Sequence, residues 1–259
     1  MRIALGIEYD GSRFCGWQRQ PHASSVQASL EAALSVVADH PVAVVCAGRT
    51  DTGVHATAQV VHFDSDAPRS MRSWILGTNS NLPPEVCVIW AQPVSEDFHA
   101  RFGATGRRYR YIILNRIMRP ALLRQRVSWD YRPLDVALMA EAANRLVGKH
   151  DFSSFRALAC QAKSPVREIT ALDIHRSGEF IYLDVAANAF LHHMVRNIAG
   201  TLMTVGAGER PVSWVEEVLA VRDRTLGGVT APADGLYLVQ VNYPAQFGVP
   251  CVARLPSLG

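Results

Sequence analysis

The sequence predicts an α+β protein built as two ferredoxin-like (βαββαβ) halves, with antiparallel sheets meeting at a central active-site cleft. Two observations carry this. Short stretches of period-two hydrophobicity alternate with amphipathic stretches of helical period, and the order βαββαβ occurs twice along the chain without any visible repeat of sequence. With 259 residues, 49% of them hydrophobic and 19% charged, the chain is long enough for one large or two small cores.

The first half is expected to span residues 1–105 and the second 106–259. From Ile3, the residues Leu5, Ile7 and Tyr9 alternate with Ala4, Gly6 and Glu8, as in a strand. A helix capped by Ser24 or Ser25 follows, with Val26, Leu30, Ala33, Leu34 and Val37 on one face. Pro41 and the β-branched residues after it start a second strand, Gln59–Phe63 a third, and Val86–Trp90 a fourth after a short helix around Met71–Leu76. Past a linker near Val94–Thr105 come strand Tyr109–Leu114, helix Leu134–Val147 ended by Gly148, and strands Glu168–Ile174 and Glu179–Ala186. A helix over Phe190–Val205 and a strand over Leu236–Tyr243 complete the second half. An additional helix, Trp214–Val221, is preceded by Ser213 and Glu216 at the spacing of a capping box.

No apolar run reaches the roughly 18 residues needed to span a bilayer, and the first ten residues read as a strand, so a cytoplasmic protein is expected. Cys15, Cys46, Cys87, Cys160 and Cys251 form no Cys-x-x-Cys pair and are expected to be reduced and mostly packing residues. The net charge of +3 is unremarkable, but between Arg101 and Arg126 lie eight arginines and no acidic residue. Guanidinium forks bind phosphates bidentately and stack on bases, so this stretch suggests a nucleic-acid surface.

The densest candidate for chemistry is Cys46-Ala-Gly-Arg-Thr-Asp-Thr-Gly-Val-His-Ala56, a glycine-rich loop between apolar strands that is built to present Asp51. A positioned carboxylate serves as nucleophile or general base, and Arg49, two residues earlier, is placed to hold phosphate or to favour its ionised form. Asp51-Thr52-Gly53 also spells the aspartic-protease signature, but that chemistry needs two carboxylates sharing a proton, and no second Asp-Thr-Gly is present. His192 and His193 are adjacent and so point to different faces of the expected helix, unlike a His-x-x-x-His zinc grip. On that helix Met194, Ile198, Leu202 and Val205 form the apolar face, while His193, Arg196 and Asn197 form a polar one. No Walker loop, dinucleotide fingerprint or serine elbow occurs.

Gly48-Arg-Thr-Asp-Thr-Gly-Val-His55 resembles the catalytic loop of the TruA-type tRNA pseudouridine synthases. Ile7–Gln20, Phe98–Phe102, Arg107–Tyr111, Phe190–Asn197 and Gly235–Leu238 match that family in order and spacing across nearly the whole chain. The resemblance implies isomerisation of uridine to pseudouridine at positions 38, 39 and 40 of the tRNA anticodon arm, by a homodimer, without metal, nucleotide or organic cofactor. It implies that Asp51 is the catalytic carboxylate, that Arg196 pairs with it, that Arg49 contacts RNA, that Tyr109 stacks on the base and that Leu236 packs near the uracil. Arg107, Arg108 and Arg110 would then track phosphates.

Overall fold

A computed structural model describes residues 1–256 and 258; residues 257 and 259, at the end of the expected second half, lie outside the described residues. The fold is α+β. Strand β1 spans Arg2–Tyr9 and is followed by helix α1, Val26–Ala38. Ser25 has an extended backbone, which lets its side chain accept from the Ala28 N–H at 3.2 Å and start the helix there. Val26, Leu30, Ala33 and Leu34 are buried on the predicted face, while Val37 is half-buried.

The second strand is shorter than the β-branched run suggests. Val42 N–H donates to Ser35 Oγ and Val44 N–H to Glu31 Oε1, so side chains of α1 take the donors a strand would have used. Only Val45–Cys46 remains as β2. Strand β3 (His55–Asp64), helix α2 (Met71–Asn81) and strand β4 (Val86–Val94) each run longer than expected. Pro93 is tolerated in β4 because that strand is the edge of its sheet.

The chain continues through β5 (Gly106–Asn115), β6 (Ser128–Asp130), α3 (Val136–Asn144), β7 (Gly148–Asp151), β8 (Val166–Ser177), β9 (Phe180–Ala187), α4 (Met194–Gly206), α5 (Trp214–Val221) and β10 (Leu236–Asn242). Asp135 accepts from the N–H groups of Ala137 and Leu138, which sets the start of α3, and Gly148, at φ +105°, opens β7 instead of capping the helix. Helix α5 has the expected bounds, but Ser213 has helical dihedrals and no side-chain cap, so the capping box does not form. Helix α4 starts four residues later than the apolar pattern suggests: His193 is left-handed at φ +63° and forms the N-cap. His192 and His193 therefore precede the helix, their rings 4.1 Å apart.

The chain divides into two compact units, Met1–Thr105 with Tyr237–Pro256, and Gly106–Leu236. In the first, the strands order β4-β1-β3, with β1 antiparallel to both neighbours; β2 and β10 share the other edge of β3. That is the split βαβ order 4-1-3-2. Tyr237 and Leu238 of β10 lie parallel to His55 and Ala56, so the strand expected to finish the second half packs with the first. Ile3, Leu5 and Ile7 are wholly buried, and the opposite face of β1 is buried too: a Cβ on Gly6 would lie 2.0 Å from Trp90 Nε1. The C-terminal segment covers that face, with Pro250, Val252 and Arg254 lining one hollow with Trp90. In the second unit β5-β9-β8-β7 form consecutive antiparallel pairs, β6 runs parallel to β5, and α3 packs on α4 and β8.

Candidate active site

The Asp51 loop is tied down on both sides of the aspartate. Ala47 N–H donates to Val60 O at 2.8 Å, prolonging the β2–β3 ladder by one bond. Gln59, fully buried, then donates from Nε2 to Gly48 O at 2.7 Å and accepts from the Gly48 N–H, so a side-chain amide substitutes for the missing strand. Tyr9 Oη lies 2.8 Å from Thr50 Oγ1, and Trp17 N–H donates to Thr50 O at 3.0 Å. Gly16, at φ +87°, lets this segment approach: a Cβ there would lie 2.8 Å from Thr50 O and 3.1 Å from Asp51 C.

Asp51 opens a tight turn. Val54 N–H donates to Asp51 O at 3.1 Å and Gly53 has φ +80°, the positive φ that a type II turn demands at its third residue. After the turn, His55 Nδ1 accepts from Gly11 N–H at 3.0 Å and its ring stacks on Tyr237 at 4.6 Å. Each of these fixed points is backbone or a buried side chain, while Asp51 is half-buried and Arg49 exposed. Such a loop holds a carboxylate in one place, which is what covalent or general-base chemistry requires. Nearby Cys46 is no rival nucleophile: burial pushes its thiol up to about 12, against smaller downward pulls from Arg49 and Arg101.

The other anticipated residues lie in the second unit, Leu236 at the end of its long segment Gly106–Leu236. On β5, side chains alternate between faces, which splits the arginine run. Tyr109 is buried, opposite Val185 on β9 and edge-on to Phe190 with centroids 5.0 Å apart. Arg107, of the same parity, is half-buried and donates to Asn188 O at 3.1 Å. Arg110 is not a surface phosphate ligand: it is buried, bidentate to Asp184 at 2.9 and 2.7 Å, and lies 4.8 Å over the Tyr182 ring. Arg108 sits on the same face, 3.6 Å from Asp184. Arg196 donates from Nε to Ala231 O at 2.8 Å, and Leu236 is buried at the start of β10.

Asn197 does not share a polar surface with Arg196. It is buried, donating to Phe155 O at 2.7 Å and accepting from Thr230 and Arg224, so it braces the core of the second unit. Gln59, Thr50, Tyr9, Trp17 and Gly16 carry the geometry of the Asp51 loop, yet nothing in their spacing marks them as its supports. For Tyr9, Gly16, Trp17 and Thr50 the signal available was their place in the segments Ile7–Gln20 and Gly48–His55, which match the family as blocks; Gln59 lies outside both.

A family model described as tRNA pseudouridine synthase matches residues 6–103 and 142–244. The chain belongs to the tRNA pseudouridine synthase family. A protein of Nitrosococcus oceani named tRNA pseudouridine synthase A is 61% identical over 98% of this chain and 98% of its own length. The protein of that name from Aeromonas hydrophila is 60% identical over 96% and 93%. The stretch between the two matched segments holds β5 and most of the arginine-rich stretch, and the Nitrosococcus oceani relative, which covers 98% of the chain, aligns across it. A solved Cbf5-Nop10-Gar1 complex aligns at 10% identity with a TM-score of 0.37, over 91% of this chain and 48% of that one.

Proposed function

We propose that this protein isomerises uridine to pseudouridine in tRNA, at positions 38, 39 and 40 of the anticodon arm, with Asp51 as the catalytic carboxylate. The observation that carries the reading is the pinned loop: hydrogen bonds on both flanks and a glycine-dependent turn present one half-buried aspartate, in a chain of this family. The reaction is an isomerisation, so its atoms balance without a redox partner or cofactor. The N1–C1′ bond breaks, the uracil turns, C5 bonds to C1′, the C5 proton leaves and N1 takes one up. Asp51 serves either by attacking C1′, to be displaced later by C5, or by removing a sugar proton to give a glycal. A carboxylate stabilises cationic character at the sugar in either case.

A base stacked in a stem has to swing out before a carboxylate can reach its sugar. Tyr109 would then hold the extruded base, with Arg49, Arg196 and Leu236 as further substrate-binding residues. Arg107 and Arg108 supply salt-dependent affinity for phosphates; Arg110, committed to Asp184, is left out of that set. The protein acts as a homodimer in the cytoplasm, and among its described residues no helix is long and apolar enough to cross a membrane.

Tritium release from C5-labelled uridine tests the proposal, using tRNA transcripts with uridine at only one of the three positions. Release from all three that is abolished by Asp51→Asn, with tRNA binding retained, is the expected result. Release from none, despite tight binding, would make the protein a non-catalytic tRNA binder or direct it to other RNA sites.

A further inference from the structure

Within the first unit, Phe102 is 77% exposed on a well-anchored segment. The segment is anchored at every residue beside it. Phe98 is fully buried against Tyr243 and Phe247, with centroids 5.0 and 5.3 Å away. Ala100 N–H donates to His62 Nδ1 at 3.1 Å, and Tyr243 Oη donates to Ala100 O at 2.7 Å. His99 Nδ1 accepts from the N–H groups of both Arg101 and Phe102, and its ring lies 4.5 Å from the Phe102 ring at 32°. The Arg101 guanidinium stands 5.5 Å from the centroid of the same ring. The ring therefore packs against His99 and Arg101 while most of its surface stays exposed.

We propose that Phe102, with Arg101 beside it, is a stacking platform for an unpaired base of the RNA substrate, flanking the Asp51 loop. This rests on the RNA-modifying function proposed above. Its location favours it: His62, which holds Ala100, pairs in register with Val45 of β2, one residue before the strand turns into the loop. The Cys46 thiol feels both Arg49 and Arg101, so the two cations border the same stretch of chain. A largely exposed aromatic ring beside an arginine suits a nucleobase followed by its phosphate, because every base offers a π-face and the backbone supplies the anion. The anchored segment also lowers the ordering cost, since the ring has little freedom left to lose on binding.

The test measures the Kd of a tRNA transcript over a range of salt for wild type, Phe102→Leu, Phe102→Trp and Arg101→Gln, with unfolding midpoints and sedimentation for each. Phe102→Leu keeps the apolar volume but removes the π-face, and is expected to weaken binding on the order of tenfold at every salt concentration, with the salt slope unchanged. Phe102→Trp should hold the affinity, and Arg101→Gln should lower the slope by about one. Wild-type affinity in Phe102→Leu overturns the platform. So does a loss of affinity accompanied by a changed sedimentation mass, which would make the ring a contact between subunits. A wild type that shows the expected binding pattern but forms no pseudouridine would sink the synthase proposal and leave the platform standing.

Discussion

Gly16→Ala should damage the candidate active site without touching any side chain of it. The residue sits at φ +87°, where an L side chain costs about 1–2 kcal/mol, and its added Cβ would lie 2.8 Å from Thr50 O. The neighbours are backbone, so no side chain can rotate away: Asp51 C would be at 3.1 Å and Thr52 N at 3.2 Å. Ordinary contact begins at 3.4 Å, so the loop would have to retreat by about 0.6 Å at Thr50, carrying Asp51 with it. Displacements approaching 1 Å cost catalysis on the order of 100-fold, so a loss of roughly 10- to 100-fold in kcat is expected. Strain and clash together should destabilise the fold by about 2–3 kcal/mol, or lower its midpoint by about 5–10 °C. Gly178→Ala is the control: φ is +56° but nothing lies within 4 Å of the new Cβ, so it should lose about 1 kcal/mol and keep full activity. Single-turnover tritium release and thermal unfolding of both variants make the comparison. Equal kcat in Gly16→Ala and wild type would refute the claim that this glycine sets the position of Asp51.

Asp184→Asn leaves the Arg110 guanidinium buried without its counter-charge and should cost about 3–5 kcal/mol in urea unfolding. Arg107→Gln should reduce the salt slope of tRNA binding by about one, whereas Arg110→Gln should destabilise the protein and leave the slope alone; a slope lowered equally by both would restore Arg110 to the RNA surface. His62 is held down to about 4 by burial first, then by Arg2 and His99, so the fold favours its neutral form. Its contribution is complete above pH 6.5 and falls away as pH drops towards 4, because the unfolded chain takes up the proton first. His62→Gln, which can still accept from Ala100 N–H, should flatten that part of the stability profile; parallel profiles for the two proteins would remove His62 as the cause. Asn197→Ala strands Phe155 O, Arg224 and Thr230 in the second unit and should cost about 2–4 kcal/mol, read from the unfolding midpoint.

Elements set by local rules were legible in the sequence. Helix α1 declares itself through Ser25 and a one-sided apolar stripe, and α5 through its bounds of polar and apolar residues. Where a distant partner decides, the pattern misleads. The β-branched run after Pro41 looks like a strand until Ser35 and Glu31 take its N–H groups. Phe190–His193 reads as a turn of helix because its apolar residues fit the period, and only the left-handed backbone of His193 breaks it. The arginine stretch shows the same limit: composition suggests a basic surface, but strand alternation and a buried acid on β9 remove Arg110 from it. Asp51 was visible because glycines, threonines and an arginine interrupt apolar strands. Its supports were not, since Gln59, Tyr9 and Trp17 act through contacts between segments that only folding brings together.

The parallel pairing of Tyr237 and Leu238 with His55 and Ala56 also has a bearing on how the molecule is made. Roughly 180 residues separate the partners, which at 5–20 residues per second is about 10–40 s of elongation on the ribosome. The inserted unit, Gly106–Leu236, has left the peptidyl-transfer centre before the first unit receives its last strand. For that interval the nascent N-terminal sheet carries an open β3 edge just where the Asp51 loop joins it, a site for mispairing with other chains. Vectorial synthesis thus leaves the strand that follows the Asp51 loop without its parallel partner until Tyr237 and Leu238 have been made.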